Sequence, residues 1–153
     1  MTDEFQKPFT APPVIFIVAL VIGLGIDLIY PLPTMPLGLQ LGVGLASVIV
    51  GVLLIRSSMA SFERVGTTYN PFSTSTALVT KGIYRYTRNP GYLGLAMIQL
   101  GLALMYDSPW ILLATIVAVI VTNQFVIKLE EEKLRRAFGK EYQNYLTHVR
   151  RWI

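Results

Sequence analysis

The chain has 153 residues, of which 53% are hydrophobic and 14% are charged, and its mean hydropathy is +0.53. A soluble domain usually has about 25% charged residues, and a soluble protein this small could not hide so much apolar surface. The composition therefore predicts an integral membrane protein. The absence of cysteine excludes disulfides and thiolate chemistry, and a single histidine, His148, argues against a metal site.

The net charge of +4 is distributed as in a membrane protein rather than a nucleic-acid-binding one. Asp27 is the only charged residue within residues 8–55, and the basic residues cluster in 56–88 and 128–151. Basic segments flank membrane spans on the cytoplasmic side. The first residues, MTDEFQK, contain two acids and precede a long apolar run, so we expect no cleavable signal peptide. These features predict a multi-pass protein of the cell (inner) membrane.

The first two apolar runs, residues 12–30 and 36–55, are each about as long as a membrane span requires. The connector PLPTMP between them contains three prolines and cannot continue a helix, so we expect a tight hairpin. Small residues favour close helix contact in lipid, although glycine is also generally enriched in membrane helices. The candidates are the GxxxG pair Gly38 and Gly42, together with Gly23, Gly25, Gly44 and Gly51.

The second half of the chain predicts a polar segment, a second hairpin and an amphipathic tail. Residues 56–89 are polar and read as a structured cytoplasmic segment. A short apolar run, 92–106, is followed by Asp107-Ser108-Pro109, in which Ser108 is a plausible helix cap, and then by a fourth span, 110–127. In residues 128–153, apolar side chains recur at helical spacing around Gly139, where we expect a bend.

The predicted fold is therefore all-α, with four transmembrane helices in two hairpins plus a cytoplasmic C-terminal amphipathic helix. Residues 1–55 would form the N-terminal hairpin, and residues 56–153 the remainder. Four spans place both termini on one side, and the basic segments place that side in the cytoplasm.

The sequence Arg88-Asn89-Pro90-Gly91-Tyr92 predicts the start of the third helix, because Asn is a preferred N-cap and Pro a preferred first helical residue. The free N–H groups of this helix start could bind a carboxylate or phosphate. Simple helix capping explains the same residues.

Two charged groups lie on the same predicted face of the membrane. Lys81, Arg85 and Arg88 could share one helical face and bind a ligand, or they could contact lipid phosphates. The run Glu130-Glu131-Glu132 could accept hydrogen bonds from a ligand or could be a solvated helix start. The spacing alone does not choose among the three acids.

Polar residues inside the spans are the remaining candidates. Gln99, Asn123 and Gln124 could bond across helices or line a cavity, and Asp27 lies near enough to the end of its span to reach water. These residues by themselves identify no reaction.

The motif TALVTKGIYRYTRNPGYLG, residues 76–94, resembles the signature of the isoprenylcysteine carboxyl methyltransferase family, whose wider group includes membrane phospholipid methyltransferases. The tail is similar to that family as well. Its matching residues are Glu130, Glu131, Leu134, Phe138, Gly139, Tyr142, Tyr145 and Val149. The resemblance covers about residues 70–153, and it makes 56–153 a methyltransferase catalytic region.

The resemblance implies methyl transfer from S-adenosyl-L-methionine, bound at the cytoplasmic face, to a lipophilic acceptor that enters from the bilayer. The resemblance assigns no catalytic residue in this chain and implies no metal. The implied cofactor-binding residues are Thr76, Ala77, Leu78, Val79, Tyr84, Asn89, Pro90, Gly91, Tyr92 and Glu130. In this reading, the N–H groups after Asn89 bind the cofactor's carboxylate, and Glu130 binds its amino group or ribose hydroxyls.

Two positions depart from the family pattern. Asn89 stands where the family often has histidine, and asparagine can still cap and donate hydrogen bonds. Val126 stands where the prenylcysteine enzymes have an arginine that binds the substrate carboxylate. Lys128 is the nearest substitute, although it would lie on a different side of the helix. The expected acceptor is therefore not a prenylcysteine.

Three functions are compatible with these observations. The first is a methyltransferase acting on a lipophilic small molecule, and the second is a phospholipid amine N-methyltransferase of the same fold. A third, from another class, is a small helical transporter or assembly factor. A transporter should carry charged groups near the middle of the membrane, whereas the polar residues of this chain gather at one face.

Overall fold

The computed structural model describes residues 11–32, 36–66 and 77–153, and in these residues every regular element is a helix. The elements are α1 (Pro12–Ile29), α2 (Leu37–Glu63), a 3₁₀ turn (Gly82–Arg85), α3 (Pro90–Met105), α4 (Pro109–Val121), a π-helical segment (Thr122–Ile127) and α5 (Lys128–His148). Prolines stand at the starts of α1, α3 and α4, where a missing N–H is harmless.

Helices of sufficient length and apolar composition confirm the predicted all-α membrane architecture. Three contain an apolar stretch long enough to span a membrane, namely α1, α2 and the helical segment that begins at Pro109. The fourth apolar helix, α3, has 16 residues and is about 24 Å long, which is shorter than a hydrocarbon core of about 30 Å. One end of α3 must therefore be recessed from the membrane surface.

The second helix extends beyond the apolar run from which it was predicted. The apolar run stops at Ile55, but the helix continues to Glu63. Ser58 and Ser61 in this extension are buried, with exposures of 4% and 7%, and a Cβ on Gly82 of the 3₁₀ turn would lie 2.8 Å from Ser61 Oγ. The polar end of α2 thus packs against the 3₁₀ turn.

Helix pairing differs from the expected tight first hairpin. In the described residues α2 packs along α3, α1 packs along α4, and the pair α3–α4 lies between them, whereas α1 and α2 have little contact. Two glycine pairs set the approach of α2 to α3: a Cβ on Gly51 would lie 2.6 Å from Gly94 O, and a Cβ on Gly101 would lie 2.5 Å from Gly44 O. Close contact of this kind needs small residues.

The glycines of the predicted GxxxG pair do not lie at a close helix contact. No atom lies within 4 Å of a Cβ built on Gly38, Gly42 or Gly25, so these glycines make no close helix contact within the described part of the chain. Gly23 does, because a Cβ there would lie 2.8 Å from the Ile111 backbone of α4. The partner of a glycine depends on the helix arrangement, which glycine spacing alone does not reveal.

The turn between α3 and α4 follows its predicted chemistry. Ser108 Oγ accepts a hydrogen bond from Ile111 N at 3.2 Å, which confirms it as the cap of α4. Asp107 adopts a positive φ of 49° and accepts a hydrogen bond from Gln40 Nε2 at 3.2 Å. Trp110 Nε1 donates to Tyr30 O at 2.7 Å. Trp110 therefore ties the end of α1 to the start of α4.

The helical segment that begins at Pro109 continues into α5 and is interrupted at Gly139. The π-helical segment joins α4 to α5 without a break, and at Gly139 the backbone leaves helical geometry with φ 49° and ψ −117°. This confirms the expected bend. Tyr142 and Val149 are buried beyond it, so the amphipathic face of the tail packs against the rest of the protein.

Candidate functional site

The site begins at the N-terminus of α3. Pro90 is the first helical residue, as predicted, and the first i→i−4 hydrogen bond runs from Leu93 N to Asn89 O at 3.0 Å. The predicted capping role of the Asn89 side chain is wrong: it makes no cap hydrogen bond, and Nδ2 instead donates to Arg151 O at 2.8 Å. The first turn of α3 is thus not closed by its own cap residue.

A direct hydrogen bond joins the two motifs of the sequence. Tyr92 on the first turn of α3 donates from its hydroxyl to Glu130 Oε1 at 2.5 Å. Glu130 lies one turn beyond the membrane-spanning residues 109–127, on the first turn of α5. Burial raises the pKa of Glu130 to about 7, although the Tyr92 hydrogen bond and the Lys133 charge oppose the rise. This carboxyl can therefore change its charge near neutral pH.

The three consecutive acids have three different environments. Glu130 faces Tyr92, and Glu131 is buried between two arginines. Glu132 is exposed and pairs with Arg136 one turn later, at 3.0 Å. Adjacent helical positions point in directions about 100° apart, so one acid meets the site, one meets the protein interior and one meets solvent. Side-chain direction resolves what the acidic run alone left open.

Glu131 is the centre of an ion cluster. Arg151 approaches it with two nitrogens, Nη2 at 2.6 Å from Oε2 and Nε at 2.9 Å from Oε1, and Arg88 Nη1 lies 3.2 Å from Oε1. Burial alone would raise the pKa of Glu131, but the hydrogen bonds from Arg151 and the charge of Arg88 outweigh it and lower that pKa. Glu131 is therefore ionised at neutral pH and acts as an anchor.

The residues after α5 form an extended segment, 149–152, that covers the start of α3. Arg150 O accepts a hydrogen bond from Arg88 N at 3.0 Å, and Arg151 O accepts one from Thr87 Oγ1 at 3.3 Å in addition to the one from Asn89. Trp152 Nε1 donates to Asn123 Oδ1 at 3.3 Å. We call residues 149–152 the C-terminal clasp.

Buried tyrosines complete the wall of the site. Tyr84 is 8% exposed and shares a 2.7 Å hydrogen bond with Ser58 of α2. Tyr145 of α5 donates from its hydroxyl to Tyr84 O at 2.7 Å. Burial raises the pKa of both Tyr84 and Tyr145, so both hydroxyls remain protonated. These bonds join the C-terminal end of α2, the 3₁₀ turn and α5.

Most of the predicted cofactor residues lie in this region. Asn89, Pro90, Gly91 and Tyr92 occupy the first turn of α3, and Glu130 faces Tyr92. Ala77 and Leu78 are half-buried and Val79 is buried, in irregular chain that leads into the 3₁₀ turn of Tyr84. Thr76 lies outside the described residues.

The two predicted substrate-binding positions are separated. Val126 is 1% exposed and packs with Tyr92 and Ile127, with Trp152 against the same cluster. Lys128 is exposed. The absent arginine of the prenylcysteine enzymes is thus replaced by apolar packing, and Lys128 lies on another side of the helix, as the helical spacing indicated.

The three basic residues before α3 do not share one helical face. Lys81 and Arg85 are exposed, and Arg85 lies over the Tyr86 ring at 6.0 Å from its centroid. Arg88 turns inward to Glu131, with its side chain 14% exposed. The segment is a 3₁₀ turn followed by irregular chain, so helical spacing did not apply to it.

The polar residues of the spans also divide. Asn123 bonds across to the clasp, Gln124 is exposed, and Gln99 is 3% exposed with neither amide atom bonded to a described residue. Asp27 is 8% exposed, and its Oδ1 has no partner among the described residues. Asp27 therefore lies largely buried in the part of α1 that packs against the start of α4 through Gly23 and Tyr30.

Sequence reasoning missed several residues that build the site, chiefly in the clasp. Arg151 was read only as part of a basic flank, and Trp152, Thr87 and Ser58 were not singled out. A signal existed for Arg151, since an arginine so close to an acidic run on the same membrane face has a possible partner. The pairing itself depends on the bend at Gly139 and on the end of α5 at Val149, where the backbone becomes extended.

Comparison with known proteins gives consistent matches. The family model described as phospholipid methyltransferase matches residues 39–141. A protein of Oryza sativa subsp. japonica named probable protein-S-isoprenylcysteine O-methyltransferase is 32% identical over 114 residues, which cover 70% of this chain and 57% of that protein. Protein-S-isoprenylcysteine O-methyltransferase B of Arabidopsis thaliana is 30% identical over 110 residues, which cover 69% and 55%.

A shorter relative matches the same chain. An uncharacterized protein of Haemophilus influenzae is 40% identical over 62 residues, which cover 40% of this chain and 98% of that protein. The matched regions span just over half the length of the plant relatives. The matches confirm the resemblance to the isoprenylcysteine methyltransferases, and because the family model covers more than half of the chain, this protein belongs to the phospholipid methyltransferase family.

Proposed function

We propose that this protein is an S-adenosyl-L-methionine-dependent methyltransferase of the cell inner membrane, with both termini and the site at the cytoplasmic face. The observation that carries the proposal is the Tyr92–Glu130 hydrogen bond, which brings together the two motifs shared with the family at the start of α3. The basic segments on either side of α3 and α4 support the orientation.

The residues at this site fit the polar groups of the cofactor. The N–H group of Gly91 precedes the first intrahelical hydrogen bond of α3, and a helix N-terminus attracts a carboxylate. Glu130 supplies an acceptor for an ammonium or a ribose hydroxyl, and Tyr84 and Tyr92 supply buried aromatic surface. A zwitterionic amino acid joined to a nucleoside needs this combination of groups.

The protein's part in the reaction is positioning. When bound, the cofactor supplies a methyl group already activated on a sulfonium. The buried tyrosines and the clasp exclude water, and helix-borne residues hold the acceptor in line with the methyl, so proximity supplies most of the rate effect. A carboxylate acceptor needs no base. An amine or hydroxyl acceptor must lose a proton. The candidate to accept it is Glu130, a carboxyl of this site whose pKa is raised.

A lipophilic acceptor entering from the bilayer suits the surroundings of the site. The start of α3 lies next to apolar side chains, including the cluster of Tyr92, Val126 and Ile127. The plant relatives are named for isoprenylcysteine, which is a lipophilic substrate. A phospholipid amine is the second candidate, favoured by the family description and by Val126, which offers no charge to a substrate carboxylate.

Two measurements test the proposal in sequence. Isothermal titration of the purified protein in detergent should show binding of S-adenosylhomocysteine. Proteoliposomes given S-adenosylmethionine with a labelled methyl group should then transfer the label to an organic-extractable product when supplied with candidate lipids. A properly folded protein that binds neither form of the cofactor would refute the proposal and favour a transporter or assembly factor.

A further inference from the structure

Arg151 is held by both its side chain and its main chain. The guanidinium forms a two-point contact with Glu131, and the carbonyl oxygen accepts hydrogen bonds from Asn89 Nδ2 and Thr87 Oγ1. The side-chain contact fixes where the carbonyl lies, because only a few bonds separate them. One residue of the clasp therefore connects α5 to the start of α3.

The bond from Asn89 to Arg151 has a consequence for α3. Asparagine at an N-cap usually accepts a hydrogen bond through its side-chain oxygen from the second or third N–H of the helix. Here the amide is directed to Arg151 O, and no such cap forms. The N–H of Gly91, at the second helical position, is left without the partner that an asparagine cap would normally provide.

We infer that Arg151 is a positioning residue: by docking on Glu131, it holds the Asn89 side chain away from the helix start and keeps the Gly91 N–H open to the cofactor's carboxylate. This inference rests on the proposed function for the identity of the ligand. The ligand and a self-cap compete for the same donor, so release of the clasp lets Asn89 close the helix and exclude the ligand.

A four-variant binding experiment tests this competition. S-adenosylhomocysteine affinity is measured for the unmodified protein, Arg151→Ala, Asn89→Ala and the double variant. Arg151→Ala should weaken binding about fivefold or more, the value of an asparagine cap. In the Asn89→Ala background, where no side chain can cap, the same substitution should change affinity less than twofold. Equal losses in both backgrounds would overturn the inference and leave a purely structural role.

Arg150 provides the matched control. Its side chain is exposed, and only its backbone oxygen contacts the site, by accepting from Arg88 N. Arg150→Ala removes the same charge from the same segment without removing the Glu131 contact, and it should weaken binding clearly less than Arg151→Ala does. An effect as large as that of Arg151→Ala would contradict the assignment to Arg151, because it would show that only the charge of the segment matters.

Hydrogen exchange gives a second readout that needs no cofactor. If the freed Asn89 caps α3, exchange of the Gly91 amide should become slower in Arg151→Ala than in the unmodified protein, but not in the double variant. If the clasp only stabilises the fold, exchange should become faster in both, and the inference fails. Should the unmodified protein bind no S-adenosylhomocysteine, the proposed function fails, and Gly91 exchange alone decides the positioning role.

Discussion

The Tyr92 hydroxyl donates a 2.5 Å hydrogen bond to Glu130, 38 residues further along the chain. Tyr92 stands on the first turn of α3 and Glu130 on the first turn of α5. The intervening helices α3 and α4 leave and return to the same membrane face, so the contact closes a complete helical hairpin. It brings the polar residues of both motifs to one place.

The role of Glu130 is tested by alanine substitution. Glu130→Ala should weaken S-adenosylhomocysteine binding by about 1.5–3 kcal/mol, the usual value of a hydrogen bond to a charged group. Glu132→Ala is the control, since Glu132 is exposed and pairs with Arg136. Titration calorimetry should show near-normal affinity for this control. Normal affinity of Glu130→Ala would contradict the assignment, and loss of affinity in Glu132→Ala would shift it by two residues.

The raised pKa of Glu130 predicts a pH-dependent affinity. Burial places this pKa at about 7, so below that pH the carboxyl is increasingly protonated and accepts hydrogen bonds less well. Affinity for S-adenosylhomocysteine should therefore fall as the pH falls below about 7, by at most tenfold per pH unit for one proton. Calorimetry between pH 5.5 and 8.5 measures the slope, which should vanish in Glu130→Gln.

The same group affects the stability of the unliganded protein with the opposite sign. A carboxyl with a raised pKa in the folded state favours folding when protonated, so its contribution is present at low pH and is lost as the pH rises through about 7. Ligand binding and stability should thus move in opposite directions over this range. A parallel change in both would indicate that another group titrates.

The α2–α3 contact predicts that the loss of stability on replacing a glycine of α2 by alanine depends strongly on its position. A Cβ on Gly51 would lie 2.6 Å from Gly94 O, so Gly51→Ala forces the helices apart and should destabilise the protein by about 1–3 kcal/mol. Gly42→Ala, on the same helix with open space around it, should be neutral or slightly stabilising, since alanine is the better helix former. The chain contains no cysteine that a thiol-reactive dye could label on unfolding, so thermal unfolding is best followed by circular dichroism. Equal effects would contradict this packing.

The membrane orientation predicts the result of reporter fusions. Fusions within the connector 31–36 and after Asp107 should report the outer side, because the basic segments 56–88 and 128–151 remain in the cytoplasm. A fusion at the C-terminus should report the cytoplasmic side. A cytoplasmic signal at either of the first two positions would contradict the orientation.

The acceptor is addressed by Val126. A substrate carboxylate left without a cationic partner is costly to bury, so a farnesylcysteine analogue should be methylated weakly or not at all, in contrast to an uncharged lipophilic acceptor. Label transfer to the two acceptors in proteoliposomes measures the difference. Robust turnover of the analogue would refute the prediction and would mean that Lys128, or an arginine such as Arg85 or Arg88, supplies the charge from another direction.

An arginine introduced at position 126 should destabilise the protein. Val126 is 1% exposed and packs with Tyr92 and Ile127, so Val126→Arg would bury a charge in an apolar cluster and should lower the melting temperature. The loss of stability must be measured before any activity of that variant is interpreted. An unchanged melting temperature would show that the cluster opens to accommodate a charged side chain.

The sequence by itself determined the class of fold, the number of apolar helices and the places where they begin. Apolar runs of membrane length, the prolines at 90 and 109 and the cap at Ser108 act locally, and local signals can be read without knowing the neighbours. The motif residues also identified the family to which the chain belongs.

Only the tertiary structure decided which surfaces meet. The glycine pairs 44–101 and 51–94 match α2 to α3 rather than to α1, and the three acids acquire different partners because each points in a different direction from the helix. Asn89, an ideal cap by residue type, bonds instead to Arg151 O, 62 residues away. The partner that each residue takes depends on competition between local and long-range contacts, and the long-range contacts form only when the chain folds.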